Sequence, residues 1–350
     1  MKKRVVSGIQ PTGILHLGNY LGAVKKWVSY QQDNQECFYF IADHHSNTLK
    51  LLEKIEEIHN NTGLPPDPRF KEKDNLDDYC IKTAACLLAS GIDPKKSCLF
   101  IQSQIPQHTE LMWILSCITP ISWLNRMIQF KEKRNKLDNL NSAGLFTYPI
   151  LMSADILLYK AQEVPVGQDQ LQHIQITRDL AERINKLVNK KILIVPEYTQ
   201  TDYSKVMSLQ NGTKKMSKSD KAKLSTITMV DGQEQLQEKI IKAKTDTFLE
   251  IFYDTEKRPE VSNLISIYCA LENIKLTEFE KKFEKANLLE FKKELVKSLE
   301  KHFLPLCEKT HKLIKSENDY ILDVLNEGKK RATVEAKETL DLIKSEFNYL

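Results

Sequence analysis

At 350 residues, 41% hydrophobic and 28% charged, the chain is long enough for two domains and too apolar to remain disordered. No apolar run approaches the ~20 residues of a membrane span, and the basic Met1-Lys2-Lys3-Arg4 start meets only Val5-Val6 before Ser7-Gly8, so no membrane association or signal peptide is expected. Net charge is +4 but unevenly spread: from Thr226 onward 21 Lys+Arg face 24 Asp+Glu, leaving 30 against 23 before it, so the first two-thirds is the part suited to a polyanion.

In chain order, short apolar runs at residues 4–7, 37–42, 97–102, 163–166 and 192–195 predict strands covered on both faces. Helical patterns separate them, one at about 20–30 and another with Leu171, Ile174, Leu180, Ile184 and Leu187 on one stripe. This alternation predicts an α/β fold, a doubly wound Rossmann-like parallel sheet of about five strands. Residues 59–78, with Pro65-Pro66-Asp67-Pro68, read as an exposed insertion, and residues 199–223, with an Asn211-Gly212 turn, as a loop or hinge. After it come amphipathic segments at 232–244, 263–271, 277–285, 288–303 and 320–347, which predict an all-helical C-terminal domain. The expected division is 1–225 and 226–350.

Seven cysteines (Cys37, Cys80, Cys86, Cys98, Cys117, Cys269 and Cys307) include no Cys-x-x-Cys pair. An odd, scattered set predicts reduced, buried thiols in a cytoplasmic protein, and no protein-held metal.

Two stretches carry chemistry. Ser7 to Asn19 follows the first strand and opens the first helix, with His16 and Asn19 three apart where unpaired N–H groups favour an anion, and with Gly18 allowing close backbone approach. By itself this also fits an ordinary strand–loop–helix connection. Lys214-Lys215-Met216-Ser217-Lys218-Ser219 lies in the polar loop of 205–223. Lys215 and Lys218, one turn apart, can meet charge developing on a polyphosphate.

Together these stretches resemble the two signatures of class I aminoacyl-tRNA synthetases, with Asn19 standing where the class commonly has a second His, the usual form in the tryptophan branch. The resemblance to bacterial-type tryptophanyl-tRNA synthetases extends over Gln10-Pro11-Thr12-Gly13, Gln129 to Lys133, Thr147-Tyr148-Pro149, Met152 to Tyr159, Val164 to Gly167, Asp169-Gln170 and Ser262-Asn263-Leu264.

It implies ATP with Mg²⁺, L-tryptophan and tRNA(Trp) as reactants, and a homodimer with a helical interface insertion at about 105–160 and an anticodon-binding helical domain. Lys215, Lys218 and Gln10 would act in catalysis. Gln10, Pro11, Thr12, His16, Gly18, Asn19, Lys131, Gly167, Asp169, Gln170, Val206 and Lys214 through Lys218 would surround ATP. Tryptophan would meet Val6, Ser7, Gly8, His45, Gln129, Tyr148, Met152 and Asp155. Tyr148, Met152 and Asp155 fall at i, i+4 and i+7, one helical face. An aromatic, a thioether and one carboxylate suit a flat apolar ring with a single N–H donor. His108, His173, His302 and His311 have no sequence neighbours that single them out. The rival readings are a tyrosine enzyme of the same class, disfavoured by Met152 and Asn19, and a small-molecule nucleotidyltransferase of the same fold, which leaves the helical part without a purpose.

Overall fold

The computed structural model describes residues 2–11, 13–48, 51, 76–127, 142–200, 205–217, 220, 222–248 and 250–348. Five parallel strands, β1 (Arg4–Ile9), β2 (Glu36–Ile41), β3 (Ser97–Ile101), β4 (Glu163–Val166) and β5 (Glu197–Gln200), form a sheet in the order β3-β2-β1-β4-β5. β2 and β3 are almost wholly buried, as their unbroken apolar runs require in a sheet covered on both faces. β1 pairs with β2 from Arg4 opposite Glu36 to Ile9 opposite Ile41, and the chain order reverses between β1 and β4. In such sheets that reversal leaves a crevice at the carboxyl ends of the two strands.

After β1 the chain enters α1 (Leu17–Asn19), passes through a π-turn at Tyr20–Val24 and continues as α2 (Lys25–Gln32). Residues 43–48 are also helical. There follow α3 (Leu76–Ala89), α4 (Gln107–Ile118), α5 (Ile121–Asn125), α6 (Ala143–Leu157) and α7 (Leu171–Leu187). The expected insertion at 59–78 lies outside the described residues, except that α3 begins at Leu76.

Three expectations need correction. The run at 192–195 is not a strand; β5 begins after Pro196. The backbone N–H groups of Ile192 and Leu193 instead donate to Asn185 Oδ1, both at 2.9 Å, and Asn185 Nδ2 donates to the Leu193 carbonyl. Side-chain bonds thus satisfy the backbone that a ladder would have used. On α7, Leu187 is 58% exposed, whereas Ile176, outside the expected stripe, is buried. Among the thiols, all seven are unbridged, but Cys117 is exposed and Cys269 half-buried.

The region 199–223 is more ordered than a plain hinge. It contains an antiparallel hairpin, β6 (Met207–Ser208) and β7 (Asn211–Lys215), whose turn is Leu209-Gln210; the expected Asn211-Gly212 turn is instead the start of β7. The helical part comprises α8 (Gln233–Ile241), α9 (Pro259–Glu272), α10 (Leu276–Phe283), α11 (Leu288–His302), α12 (Leu304–Ser316) and α13 (Asn318–Glu346). The expected segment at 288–303 is therefore followed by a further helix, α12, whose Pro305 sits in the first turn where a missing N–H costs nothing.

The two parts share their cores. One apolar cluster joins Leu15, Leu17 and Trp27 to Leu236, Val261, Phe291 and Phe303. The other joins Phe38, Phe100 and Tyr159 to Ala332, Ala336, Leu340 and Ile343 of α13. α13 lies against β3, the edge strand, so closely that a methyl at Gly328 would overlap the Leu99 carbonyl. Cys98 Sγ bonds the Gly328 carbonyl at 3.2 Å, and Arg331 Nη1 donates to the carbonyls of Pro94 and Ser97. A helix over an edge strand is one way to shield it from foreign pairing.

Candidate active site

The crevice between β1 and β4 opens into a cavity of about 850 Å³. Val6, Ser7, Gly8 and Gln10 of β1 and its loop line one wall, and Val164 to Gln170 of β4 and its loop line the other. Gly8 has to be glycine because a Cβ there would come within 2.5 Å of the Phe40 ring, which also lines the space.

At one end lies the start of the first helix. His16 is its N-cap: Asn19 N–H donates to His16 Nδ1 at 3.3 Å, and His16 N–H donates to Asn19 Oδ1 at 3.1 Å. This reciprocal box gives Asn19 a structural task as well as a place on the cavity wall. His16, Gly18 and Asn19 line the cavity, and the loop before them is bridged to residues 227–229 through Leu17 N–H to Ile227 O (2.9 Å) and Met229 N–H to Leu15 O (2.8 Å). Lys205, Val206 and Lys215 close this end from the hairpin. Asp169 faces the same cations. Burial pushes its carboxyl up, but a bond from Gln170 and the Lys215 and Lys205 charges hold it below the ordinary carboxylate range. Asp169 is not the cap of α7; that position is Gln170.

The other end is apolar with one buried acid. Tyr148, Met152 and Asp155 share a face of α6 and all reach the cavity. Ser142 starts this helix by accepting from Leu145 N–H at 3.1 Å. Asp155 is fully buried, and three donors converge on it: Gln102 Nε2 (2.7 Å) and His108 Nδ1 (2.6 Å) on Oδ1, and His45 Nε2 (2.8 Å) on Oδ2. Burial alone would raise its carboxyl, but the bonds from His108 and His45 outweigh burial and keep it well below the usual range. Asp155 is therefore a carboxylate, and the ring nitrogens facing it carry hydrogens. Tyr148 OH meets His173 Nε2 at 2.8 Å; burial, then the nearby Asp169 charge, pushes the phenol up to about 12.

The family model for class I tRNA synthetases (W and Y) matches residues 1–304. The chain belongs to this family. The synthetase is 42% identical, over the whole of both chains, to tryptophan–tRNA ligase of Rickettsia bellii. To tryptophan–tRNA ligase of Prochlorococcus marinus (strain SARG) it is 39% identical, covering 100% of this chain and 98% of the relative. Among solved structures, tryptophanyl-tRNA synthetase of Mycoplasma pneumoniae aligns with a TM-score of 0.80 at 32% identity, covering 100% and 99% of the two chains. The Campylobacter jejuni enzyme complexed with ADP and tryptophan aligns at 0.73 and 32%, covering 99% of each.

Most of the expected site residues of this synthetase meet in the one cavity. Exceptions have clear causes. Lys214 is exposed and does not line it, because β7 alternates and Lys215 takes the inward-facing place. Met216 is buried at 2% in the first core cluster, as an anchor of the loop rather than part of the cavity wall. Pro11 is buried behind the wall, and Ser217 accepts from Thr226 Oγ1 at 2.8 Å through its carbonyl. Thr12, Gln129, Lys131 and Lys218 lie outside the described residues.

Sequence reasoning passed over His108, His173, Gln102 and Lys205. Gln102 and His108 sit just past the carboxyl end of β3, where such sheets place ligands, and that position was the available signal. His173 lies in the first turn of α7, a few residues beyond Asp169-Gln170.

Proposed function

We propose that this synthetase joins L-tryptophan to the α-phosphate of ATP, releasing pyrophosphate, and passes the tryptophanyl group from the adenylate to tRNA(Trp), releasing AMP. The Asp155 carboxylate carries the choice of amino acid. A carboxylate offers about four lone-pair sites; among the described residues three are filled, by Gln102, His108 and His45. One remains, on Oδ2, at an apolar end formed by Met152, Phe40 and Ile156. Indole brings one N–H and no acceptor, matching that single open position. Phenylalanine leaves the site unpaired, at a cost of about 1–3 kcal/mol. Tyrosine adds hydroxyl lone pairs that this end does not serve.

The opposite end holds the nucleotide. Asp169 accepts from ribose hydroxyls, Gly18 and Asn19 border the adenine and phosphates, Lys215 and Lys218 neutralise charge on the leaving pyrophosphate, and Gln10 donates a hydrogen bond to the phosphates. Lys131 and Gln129 add phosphate and amino-acid contacts. No side-chain nucleophile is needed, because the tryptophan carboxylate attacks in line and the protein supplies position and charge. Mg²⁺ travels on the ATP phosphates and neutralises them further.

The enzyme works as a homodimer. Trp113 is 69% and Ile121 68% exposed on α4 and α5, with Cys117 beside them, an apolar surface suited to burial against a second copy. The helical residues after 226 read the anticodon. Seven unbridged cysteines suit a reducing compartment, and the reaction is assigned to the cytoplasm.

Amino-acid-dependent exchange of pyrophosphate into ATP, measured across all twenty amino acids, tests this reading. Exchange with tryptophan alone is expected; exchange with tyrosine, or none, overturns it.

A further inference from the structure

Ser262-Asn263 lies at the fourth and fifth residues of α9 and has no part in the cavity, yet Asn263 is only 4% exposed. Its amide is spent on one residue. Met207 N–H donates to Asn263 Oδ1 at 2.8 Å, and Asn263 Nδ2 donates to the Met207 carbonyl at 2.9 Å. Met207 belongs to β6 and stands opposite Lys215 of β7. In an antiparallel pair the N–H and C=O of one residue point to the same side. Met207 turns both toward α9, while its neighbour Val206 accepts from Met216 N–H at 3.0 Å on the β7 side. Asn263 therefore acts as a one-residue third strand on the outer edge of β6.

A second contact presses the hairpin on the same helix. A Cβ at Gly212, near the start of β7 just past the turn, would come within 2.5 Å of Glu260 N and closer still to the Pro259 carbonyl carbon. The hairpin is pinned to the start of α9 beside its turn, through Gly212, and at its open end, through Met207. The open end is the one that matters for chemistry, because Val206 and Lys215 line the cavity there and Met207 does not.

We infer that Asn263 is a positioning residue for ATP: its two bonds to Met207 set the height at which β6 and β7 present Val206 and Lys215 to the phosphates. The inference rests on reading Lys215 as a phosphate contact. Neither bond involves the tryptophan end, so loss of Asn263 acts on one substrate only. Asn263→Asp is the sharpest probe. It keeps an acceptor for Met207 N–H but sets a carboxylate oxygen against the Met207 carbonyl. Asn263→Ser shortens the side chain and weakens both bonds without adding repulsion.

The experiment is pyrophosphate exchange at varied ATP, with tryptophan binding followed separately by fluorescence and folding by thermal melting. The expected result is a rise of about tenfold or more in the ATP KM for Asn263→Asp, equivalent to at least about 1.4 kcal/mol, and a smaller rise for Asn263→Ser. The tryptophan Kd stays within about twofold of the unaltered enzyme, a change under ~0.5 kcal/mol. If Asn263→Asp does not fold, the same split in Asn263→Ser decides. An unchanged ATP KM in a folded variant, or equal losses for both substrates, overturns the inference. Lys215→Ala, run beside them, separates the two claims. If it leaves the ATP KM unchanged, the reading of Lys215 fails; if it raises that KM while the Asn263 variants do not, only the role of Asn263 falls.

Discussion

His108 Nδ1 lies 2.6 Å from Asp155 Oδ1, and neither side chain reaches solvent. On its far side, His108 Nε2 meets the Tyr159 hydroxyl at 2.7 Å, so the imidazole is held at both nitrogens. Burial raises the Tyr159 phenol well above its ordinary value, so it stays protonated and can donate to Nε2. That arrangement leaves the Nδ1 hydrogen for Asp155, and the acid keeps one open acceptor position instead of two.

Asp155→Asn preserves shape but turns an NH₂ group toward His45 or His108, which already donate. The tryptophan KM is expected to rise by about 10- to 100-fold, corresponding to ~1.4–2.8 kcal/mol, with the ATP KM nearly unchanged. Steady-state exchange kinetics at varied tryptophan and varied ATP check both halves. Equal discrimination against phenylalanine before and after the change would remove Asp155 from amino-acid selection.

The pH dependence follows from the depressed Asp155 carboxyl. Burial pushes it up, and the His108 and His45 bonds more than reverse this. A carboxyl depressed in the folded state contributes stability that is present above its unfolded value, about 4, and is lost as pH falls through the folded value. Tryptophan affinity of the unaltered enzyme should therefore not fall through Asp155 protonation between pH 7 and about 5. Replacing His108 by Leu removes the leading counterweight to burial. His45 on Oδ2 and the neutral Gln102 remain as donors, and tryptophan affinity in that variant should fall progressively on acidification. A flat profile in a folded His108→Leu enzyme would contradict the assignment.

Lys215→Ala removes a cation whose side chain is exposed on one side and faces the cavity on the other. Little stability should be lost, since exposed substitutions usually stay within about 0.5 kcal/mol. Single-turnover adenylate formation is expected to slow by about tenfold or more, ~1.4 kcal/mol in the barrier, with tryptophan binding retained. Normal single-turnover rates would rule the lysine out of the step.

Gly328→Ala provides a stability test away from the cavity. In an open helix this change would stabilise by about 1 kcal/mol. Here the new methyl would strike the Leu99 carbonyl, and a net loss of about 1–3 kcal/mol is expected from overpacking. Urea titration read by circular dichroism measures it; a gain in stability would show that α13 can lift from β3 at no cost.

The strands β1 to β4 were readable because continuous apolar runs have few other uses, and the α6 face was readable because 3.6-residue periodicity brings Tyr148, Met152 and Asp155 together. β5 was not readable. Its residues are polar, and the apolar run before it had another use for its backbone, the Asn185 side chain. The hairpin was hidden in a lysine-rich stretch whose composition says loop, and only Asn211-Gly212 hinted at it. His108 and Gln102 were missed for a different reason. Their meaning comes from Asp155, 47 and 53 residues away, and no local pattern records a partner that distant.

The contact of α13 with β3 also bears on the order in which the molecule can be made. Cys98 and Gly328 are 230 residues apart in sequence, and Arg4 and Glu335, joined at 2.8 Å, are 331 apart. During synthesis the strands of the sheet emerge long before the helix that covers their edge. Until then β3 is an open strand, free to pair with another nascent chain. The β3 edge is therefore sealed only once α13 has emerged, and weakening the seal at Gly328 should reduce the yield of soluble protein more than it reduces the activity of each folded molecule.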